Sequence, residues 1–300
     1  MRWFVTGSRG QLGSALLEGF AGDPRHDAAG ADLPELDASD SAAVERALDA
    51  QAGPVDVLVN AAAYTDVDGC ESEGELAWRV NAEAPGALAR LAGARGLRLV
   101  HVSTDYVFDG EARRPYPEDA PPRPLSAYGR SKLDGERAVQ EALPEALVAR
   151  TAWLFGRGRN FVAAVCRRAA ERAGQGGEAG LRVVEDQAGS PTYARDLAAA
   201  LVALVESGAT GLYHLANGGV ATRWELARAA LDHAGYTETP IAPIRTVDYP
   251  TPARRPHYTA LDCSRAAAAG VTLRPWREAL AAYLDSPESP LAGIGSPPGS

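Results

Sequence analysis

Short apolar runs alternate with amphipathic stretches along the first half of the chain. RWFVTG closes on a glycine, and QLGSALLEGF after it carries apolar residues at helical spacing, so the two read as strand, tight turn and helix. The alternation continues. A weak strand is predicted near Ala28 to Ala31, a helix in SDSAAVERALDAQ, a strand in VDVLVNAAA, a helix in ELAWRVNAEAPGALARLAGARG and a strand in LRLVHVST. SAYGRSKLDGERAVQEAL then has the helical period and EALVARTAWLFG the strand pattern. Apolar strands separated by helices require parallel pairing through crossovers, with both faces of the sheet covered. The expected class is α/β, a doubly wound parallel sheet of the Rossmann type over residues 1–155.

After Gly156 the rhythm changes. AGQGGEAG reads as a Gly-rich loop, LRVVED as a strand, QAGSPT as a turn and ARDLAAALVALVES as a helix, and prolines stud the chain from Pro240 to Pro256. A smaller α+β lobe is expected over 156–286, with elements from about 192–217 joining the first domain. The end of the chain lacks apolar periodicity, so 287–300 is expected to be a disordered tail.

With 46% hydrophobic and 23% charged residues over 300 positions, the chain can bury a sizeable core. A net charge of −9 argues against a nucleic-acid surface, so any anionic ligand must meet a local cluster of arginines. No stretch approaches the length of an apolar membrane span and MRWFVTG lacks the order of a signal peptide, which predicts a cytoplasmic protein with no membrane partner. Cys70, Cys166 and Cys263 are odd in number and far apart, so neither a disulfide framework nor a zinc site is expected.

TGSRGQLG sets Gly7, Gly10 and Gly13 between the first strand and the first helix. Glycines there allow the turn, let backbone N–H groups approach a pyrophosphate and let helix and strand pack closely. The spacing is GxxGxxG rather than GxGxxG, but its place between strand and helix points to a dinucleotide. Asp32 lies where an acid at the end of the second strand would bond the adenosine ribose, with Asp37 as a competitor. No arginine follows Asp32 directly, so NADH and NADPH both stay open.

Lys132 is the only lysine in the chain, and it falls four residues after Tyr128 on a predicted helix. That spacing stacks the two on one face. With 10 tyrosines in 300 residues, an unrelated lone lysine lands there about one time in thirty. An ammonium at about 4 Å and an effective dielectric near 20 attracts a phenolate by roughly 4 kcal/mol, enough to bring a phenol from about 10 toward 7. Ser103 and Thr104 end the fourth predicted strand, at the sheet edge where open α/β folds bind ligands, and a hydroxyl there can bond a reacting carbonyl beside the tyrosine. The combination points to an oxidoreductase site.

TGSRGQLG, NAAAYTDVD, the VNA of Val80 to Ala82, VSTDYVFDG, PLSAYGRSKLDGE, VARTAWLFG, VEDQAGSPT and ARRPHYTALD together resemble the extended short-chain dehydrogenase/reductase superfamily. Within it the chain is similar to the dTDP-4-dehydrorhamnose reductases, from Met1 to about Leu284. The resemblance implies hydride delivery from NAD(P)H to C4 of the nucleotide-sugar dTDP-4-dehydro-L-rhamnose. Tyr128 would then donate the proton, Lys132 would lower its pKa and bond the nicotinamide ribose, and Thr104 would hold the substrate oxygen. By the same match Gly7, Gly10, Gln11, Leu12 and Gly13 would cradle the pyrophosphate, and Asp32, Asp37 and Ala38 would line the adenosine pocket. Ala61, Ala62, Ala63, Tyr64 and Thr65, with Asn81, would wall the cofactor. Asp105, Phe108, Trp153 and Asn160 would line the substrate pocket, and Arg254 and Arg255 would meet its diphosphate. Trp153 reads equally as core, and the arginine pair as a solvated one. Some members of the family pair through magnesium held by glutamates; no such ligands can be placed here, so no metal is expected and a homodimer stays open.

Two other readings share these features. One is a nucleotide-sugar epimerase, dehydratase or other ketoreductase on the same scaffold; a dehydratase would carry an acidic pair after the threonine, where this chain has Asp105 and then Tyr106. The other is a non-catalytic, NADP-binding regulatory subunit, similar to the β subunit of methionine adenosyltransferase.

Overall fold

The computed structural model describes residues 1–174 and 180–291. The chain runs through β1 (Arg2–Thr6), α1 (Gln11–Phe20), β2 (Asp27–Ala31), α2 (Ser41–Asp49), β3 (Val57–Asn60), the short α3 (Gly69–Ser72) and α4 (Gly74–Trp78), and a π turn, Arg79–Glu83. Then come α5 (Ala84–Arg95), β4 (Arg98–Thr104), α6 (Ala127–Ala142) and β5 (Leu147–Thr151). The second half contributes β6 (Leu154–Phe155), α7 (Phe161–Gly174), β7 (Leu181–Val184), β8 (Ala188–Gly189), β9 (Thr192–Tyr193), α8 (Ala194–Glu206) and β10 (Gly211–His214). It closes with β11 (Ala221–Thr222), α9 (Arg223–His233), β12 (Ile241–Ile244), α10 (Ser264–Ala268) and α11 (Trp276–Leu284).

Six strands form one parallel sheet in the order β2-β1-β3-β4-β5-β10. Successive side chains on a strand point to opposite faces, and here both faces are apolar. Trp3, Val5, Val57, Val59 and Val100 pack with Leu12 and Leu16 of α1 and Leu197, Leu201 and Leu204 of α8. Their neighbours Phe4, Leu58, Leu99 and Val148 pack instead with Val44 of α2, Leu88 of α5 and Val139 of α6. A sheet so covered leaves its carboxyl edge as the open face, and the chain reverses direction across the sheet between β1 and β3. That switch point is where a doubly wound fold opens a crevice.

A second core, built on Phe155, Tyr193, Leu226, Trp276 and Tyr283, joins α7, α9 and α11 beyond the carboxyl edge. The paired short strands β7 with β12, β8 with β11 and β6 with β9 belong to this half, whereas α8 and β10 return to the large sheet. The segment expected to be tail from 287 onward stays docked as far as Leu291. Glu288 accepts from the Tyr193 hydroxyl and pairs with Arg195 at 3.0 Å, and Leu291 packs on the second core. Positions 292–300, and 175–179 within the Gly-rich stretch, lie outside the described residues. Among the described residues no helix is long and apolar enough to cross a membrane, and no cluster of His, Cys, Asp and Glu could hold a metal ion.

Candidate active site

The glycine turn follows β1. Gly7 has φ +71°, and a Cβ on it would lie 2.6 Å from the Ala62 nitrogen at the end of β3; a Cβ on Gly13 would lie 2.1 Å from the Gly7 carbonyl oxygen. No other residue fits either place, because the backbone of the turn, the first turn of α1 and the Ala61–Ala63 run are in direct apposition. Helix α1 starts at Gly10 with no side chain capping it, so its first N–H groups keep their capacity to bind an anion. Leu12 contributes only backbone there, since its side chain is in the sheet core.

Asp32, at the end of β2, accepts from the backbone N–H of Arg9 at 2.9 Å and of Leu33 at 2.8 Å, which ties the glycine turn to the second strand. Arg9 pairs in turn with Glu35 at 2.7 Å. Asp37 accepts from the Ser39 N–H and hydroxyl, bonds that hold its carboxyl below the ordinary range, with Ala38 beside it. Across the crevice the π turn seats Asn81, fully buried. Its Oδ1 accepts from Tyr64 N–H at 2.9 Å, while its Nδ2 donates to Tyr64 O at 3.0 Å and Ser131 Oγ at 3.1 Å. Asn81 thereby fixes the strand-end loop against α6, and Thr65 next to it is exposed.

Helix α6 starts on Ser126, whose Oγ accepts from Gly129 N–H at 3.1 Å, so its first turn is firm where Tyr128 leaves it. Tyr128 and Lys132 are both buried on the face toward β4. Lys132 Nζ donates to Val102 O at 2.7 Å. Burial pushes Lys132 down to about 8, and Glu136 one turn further on opposes that shift. The expected depression of the Tyr128 phenol is not what the structure shows: burial pushes its pKa up, with only the nearby Thr104 hydroxyl pulling the other way. Desolvation dominates the phenol, and the Lys132 ammonium is bonded to the strand carbonyl rather than to it.

Thr104 donates to Asp105 Oδ1 at 3.1 Å and accepts from Tyr106 N–H at 3.2 Å. Asp105 also accepts from the Thr259 hydroxyl, which comes from the Pro-rich segment of the second half. Burial pushes Asp105 up to about 6. Arg255, two residues after Ala253 in that segment, makes a bidentate pair with Asp68 at 2.9 and 3.0 Å, and Arg254 is exposed. Arg255 is therefore committed to Asp68 and is not the free diphosphate clamp expected of it, while Arg254 stands at the surface.

Two further expectations are corrected. Phe108 is fully buried and stacks on Tyr116 at 4.1 Å, so it forms the floor beneath the site and does not line it. Asn160 caps α7 through Ala163 N–H at 2.9 Å and commits its amide protons to Gly156 O at 2.6 Å and the Tyr283 hydroxyl at 3.1 Å, so its side chain braces α7. Trp153 does reach the cleft, half-buried, with φ +46° and the Arg223 guanidinium 3.6 Å from its ring centroid. Arg223, Tyr106 and Thr259 were not singled out as site residues from sequence; nothing local marks an arginine at the start of a helix or a threonine in a Pro-rich stretch.

A dinucleotide fits this crevice. Gln11 Oε1 after the glycine turn, and Ser103 Oγ and Thr151 Oγ1 at the carboxyl ends of β4 and β5, are buried without a hydrogen-bond partner among the described residues. Leaving such an atom unpaired costs about 1–3 kcal/mol, a cost that a bound ligand offsets.

Comparison with known proteins places the chain among relatives of similar length. The family model described as RmlD substrate binding domain matches residues 1–288. A dTDP-4-dehydrorhamnose reductase of Mycobacterium tuberculosis is 45% identical over 294 residues, covering 95% of this chain and 93% of the relative. A probable dTDP-4,6-dihydroxy-2-methyloxan-3-one 4-ketoreductase of Streptomyces antibioticus is 44% identical over 284 residues, 93% of each chain. The crystal structure of dTDP-4-dehydrorhamnose reductase from Bacillus anthracis in complex with NADP superposes with a TM-score of 0.85 at 32% identity, covering 94% of this chain and 97% of the other. With the family model spanning residues 1–288 and a relative 45% identical over 95% of the chain, this protein belongs to the RmlD substrate binding domain family.

Proposed function

We propose that the protein is an oxidoreductase that uses NADPH or NADH to reduce the C4 ketone of dTDP-4-dehydro-L-rhamnose to dTDP-L-rhamnose. The observation that carries this reading is the meeting of Thr104, Tyr128 and Lys132 at the carboxyl edge of the sheet, beside the glycine turn. The nicotinamide supplies hydride to the ketone carbon when bound.

The remaining work belongs to the protein. Gly7, Gly10, Gly13 and the first N–H groups of α1 hold the pyrophosphate, Asp32 and Asp37 flank the adenosine side, and the Ala61–Thr65 loop braced by Asn81 forms the opposite wall. Tyr128 is the proton donor. Its raised pKa keeps the phenol protonated at neutral pH, the form a reduction needs when charge develops on the substrate oxygen. Thr104 lies beside that phenol and positions the same oxygen. Lys132 places a positive charge behind the phenolate that proton transfer leaves, which lowers the cost of forming it in a dry site.

A cytoplasmic location follows from the reading, because NADPH and a nucleotide-linked sugar are both charged and do not cross a bilayer unaided. A homodimer is checked by light scattering on the purified chain. The test of the function is a coupled assay in which upstream sugar enzymes generate the labile ketone in situ while NADPH and NADH oxidation are followed. Stoichiometric consumption with dTDP-L-rhamnose as product supports the reading; cofactor recycling points to an epimerase or dehydratase, and cofactor binding without turnover points to a regulatory subunit. The Streptomyces antibioticus relative favours one second reading, 4-ketoreduction of another dTDP-linked sugar, and the same assay with that sugar separates the two by kcat/KM.

A further inference from the structure

Arg223 is the cation the cleft leaves uncompensated. It opens α9, directly after the Thr222 cap whose hydroxyl accepts from Glu225 N–H at 3.0 Å, so its backbone position is fixed. Its guanidinium lies 3.6 Å from the centroid of the Trp153 ring and 5.2 Å from that of Phe161. Trp153 is itself seated against Gly189, where a Cβ would come within 2.6 Å of the indole. Among the described residues Arg223 makes no ion pair. Asp105 attracts it across the cleft but is committed to Thr104 and Thr259, and Arg255 repels it. Burial pushes the Arg223 pKa down, the sign of a charge held away from water without a counter-ion.

We propose that Arg223, laid flat on Trp153, is the anchor for the diphosphate of the nucleotide-linked sugar, a role that rests on the reading of the substrate given above. Stacking occupies the face of the guanidinium and leaves its N–H edge for phosphate oxygens, the forked geometry that arginine offers and lysine does not. The distance from the chemistry also fits. Arg223 lies beside Tyr106, whose ring meets Tyr128 edge-on at 5.6 Å between centroids, so one aromatic side chain lies between the guanidinium and the proton donor. In a diphospho-4-ketosugar one pyranose ring separates C4 from the carbon bearing the phosphate. Arg255, neutralised by Asp68, and the exposed Arg254 offer no such charge at that place.

Calorimetric titration of the full-length protein with dTDP and, separately, with thymidine tests this. In Arg223→Met, which keeps length and apolar contact with Trp153, dTDP affinity is expected to fall by about 30-fold or more while thymidine and NADPH binding stay as in the wild type. Arg223→Lys, which keeps the charge, recovers part of the dTDP affinity and decides the matter if the methionine variant does not fold. Equal dTDP affinity in wild type and Arg223→Met overturns the proposal, as does an equal loss for thymidine, which would mean a distorted cleft. If dTDP binding depends on Arg223 but no ketone is reduced, the reaction assignment falls and the anchor stands; if the ketone is reduced and dTDP affinity ignores Arg223, the reverse holds.

Discussion

Lys132 Nζ donates to the carbonyl oxygen of Val102 at 2.7 Å, which ties the chain's only lysine to the strand that carries Ser103 and Thr104. One of three ammonium protons is thereby spent on the scaffold, and two remain for the cofactor ribose and the phenolate side of the cleft. A guanidinium has the same charge but a wide planar fork, and Lys132 and Glu136 are both only 2% exposed. Lys132→Arg is therefore expected to lower kcat at least tenfold and to weaken NADPH binding, measured by steady-state kinetics and by fluorescence titration. Wild-type turnover in the arginine variant would remove the lysine from the mechanism. The pH dependence has a defined sign. Because the folded-state pKa, about 8, lies below the ordinary lysine value of 10.5, the unfolded chain holds the proton more tightly. The stability penalty is complete at neutral pH and is relieved as pH rises from about 8 toward 10.5, while kcat falls over the start of the same window as the ammonium is lost.

Tyr128 is held protonated by burial, so removing its hydroxyl deletes the acid without removing a charge. Tyr128→Phe is expected to lose about 10²–10⁴-fold in kcat, the span of general acid catalysis, with NADPH affinity within twofold of wild type. Retention of more than a tenth of the wild-type kcat would assign the proton to another donor.

The Tyr128 and Lys132 pair was legible in the sequence because both sit on one helix, where spacing alone fixes the face. The glycine turn was legible for a similar reason: strand, turn and helix are contiguous, and steric demands at Gly7 and Gly13 come from residues the alternating pattern already places. The sheet followed from apolar runs that are buried on both faces, as in β3, while the weak edge strand β2 has no buried position. Legibility ended where partners are distant in the chain. Trp153 and Arg223 meet through packing of the second half on the sheet, and Thr259 reaches Asp105 across 154 positions. Asn160 illustrates a different limit, since an asparagine in a pocket and one capping a helix read identically in sequence. Phe108 and the Tyr128 pKa depended on burial, which pairwise spacing does not supply.

Asp105 is 2% exposed and is pushed up to about 6 from an ordinary 3.8. The folded protein therefore binds its proton more tightly than the unfolded chain, and stability falls as pH rises through the interval between those values. At neutral pH the penalty amounts to about 3 kcal/mol from a shift of about two units. Asp105→Asn abolishes this titration. Between pH 4 and 6 the unfolding free energy of the wild type is expected to drop relative to the asparagine variant, followed by urea denaturation at each pH. Parallel curves for the two proteins would show that Asp105 does not titrate in the fold.

Beneath the site Glu136 accepts from Arg150 Nε at 2.8 Å and Nη2 at 2.7 Å, and both side chains are almost fully buried. Arg150 also faces the Phe108 ring at 5.2 Å and approaches His214, which burial and the guanidinium hold neutral, down at about 3. Removing the carboxylate charge leaves that guanidinium without a counter-ion, so Glu136→Gln is expected to cost about 3 kcal/mol or more in unfolding free energy. Glu136 has a second effect, because its charge supports the protonated form of Lys132 one turn before it. The same variant should therefore move the alkaline fall of kcat to lower pH, an effect that a purely structural brace would not produce. If urea denaturation records the stability loss and the kcat profile does not move, Glu136 supports the fold beneath the lysine without tuning its charge.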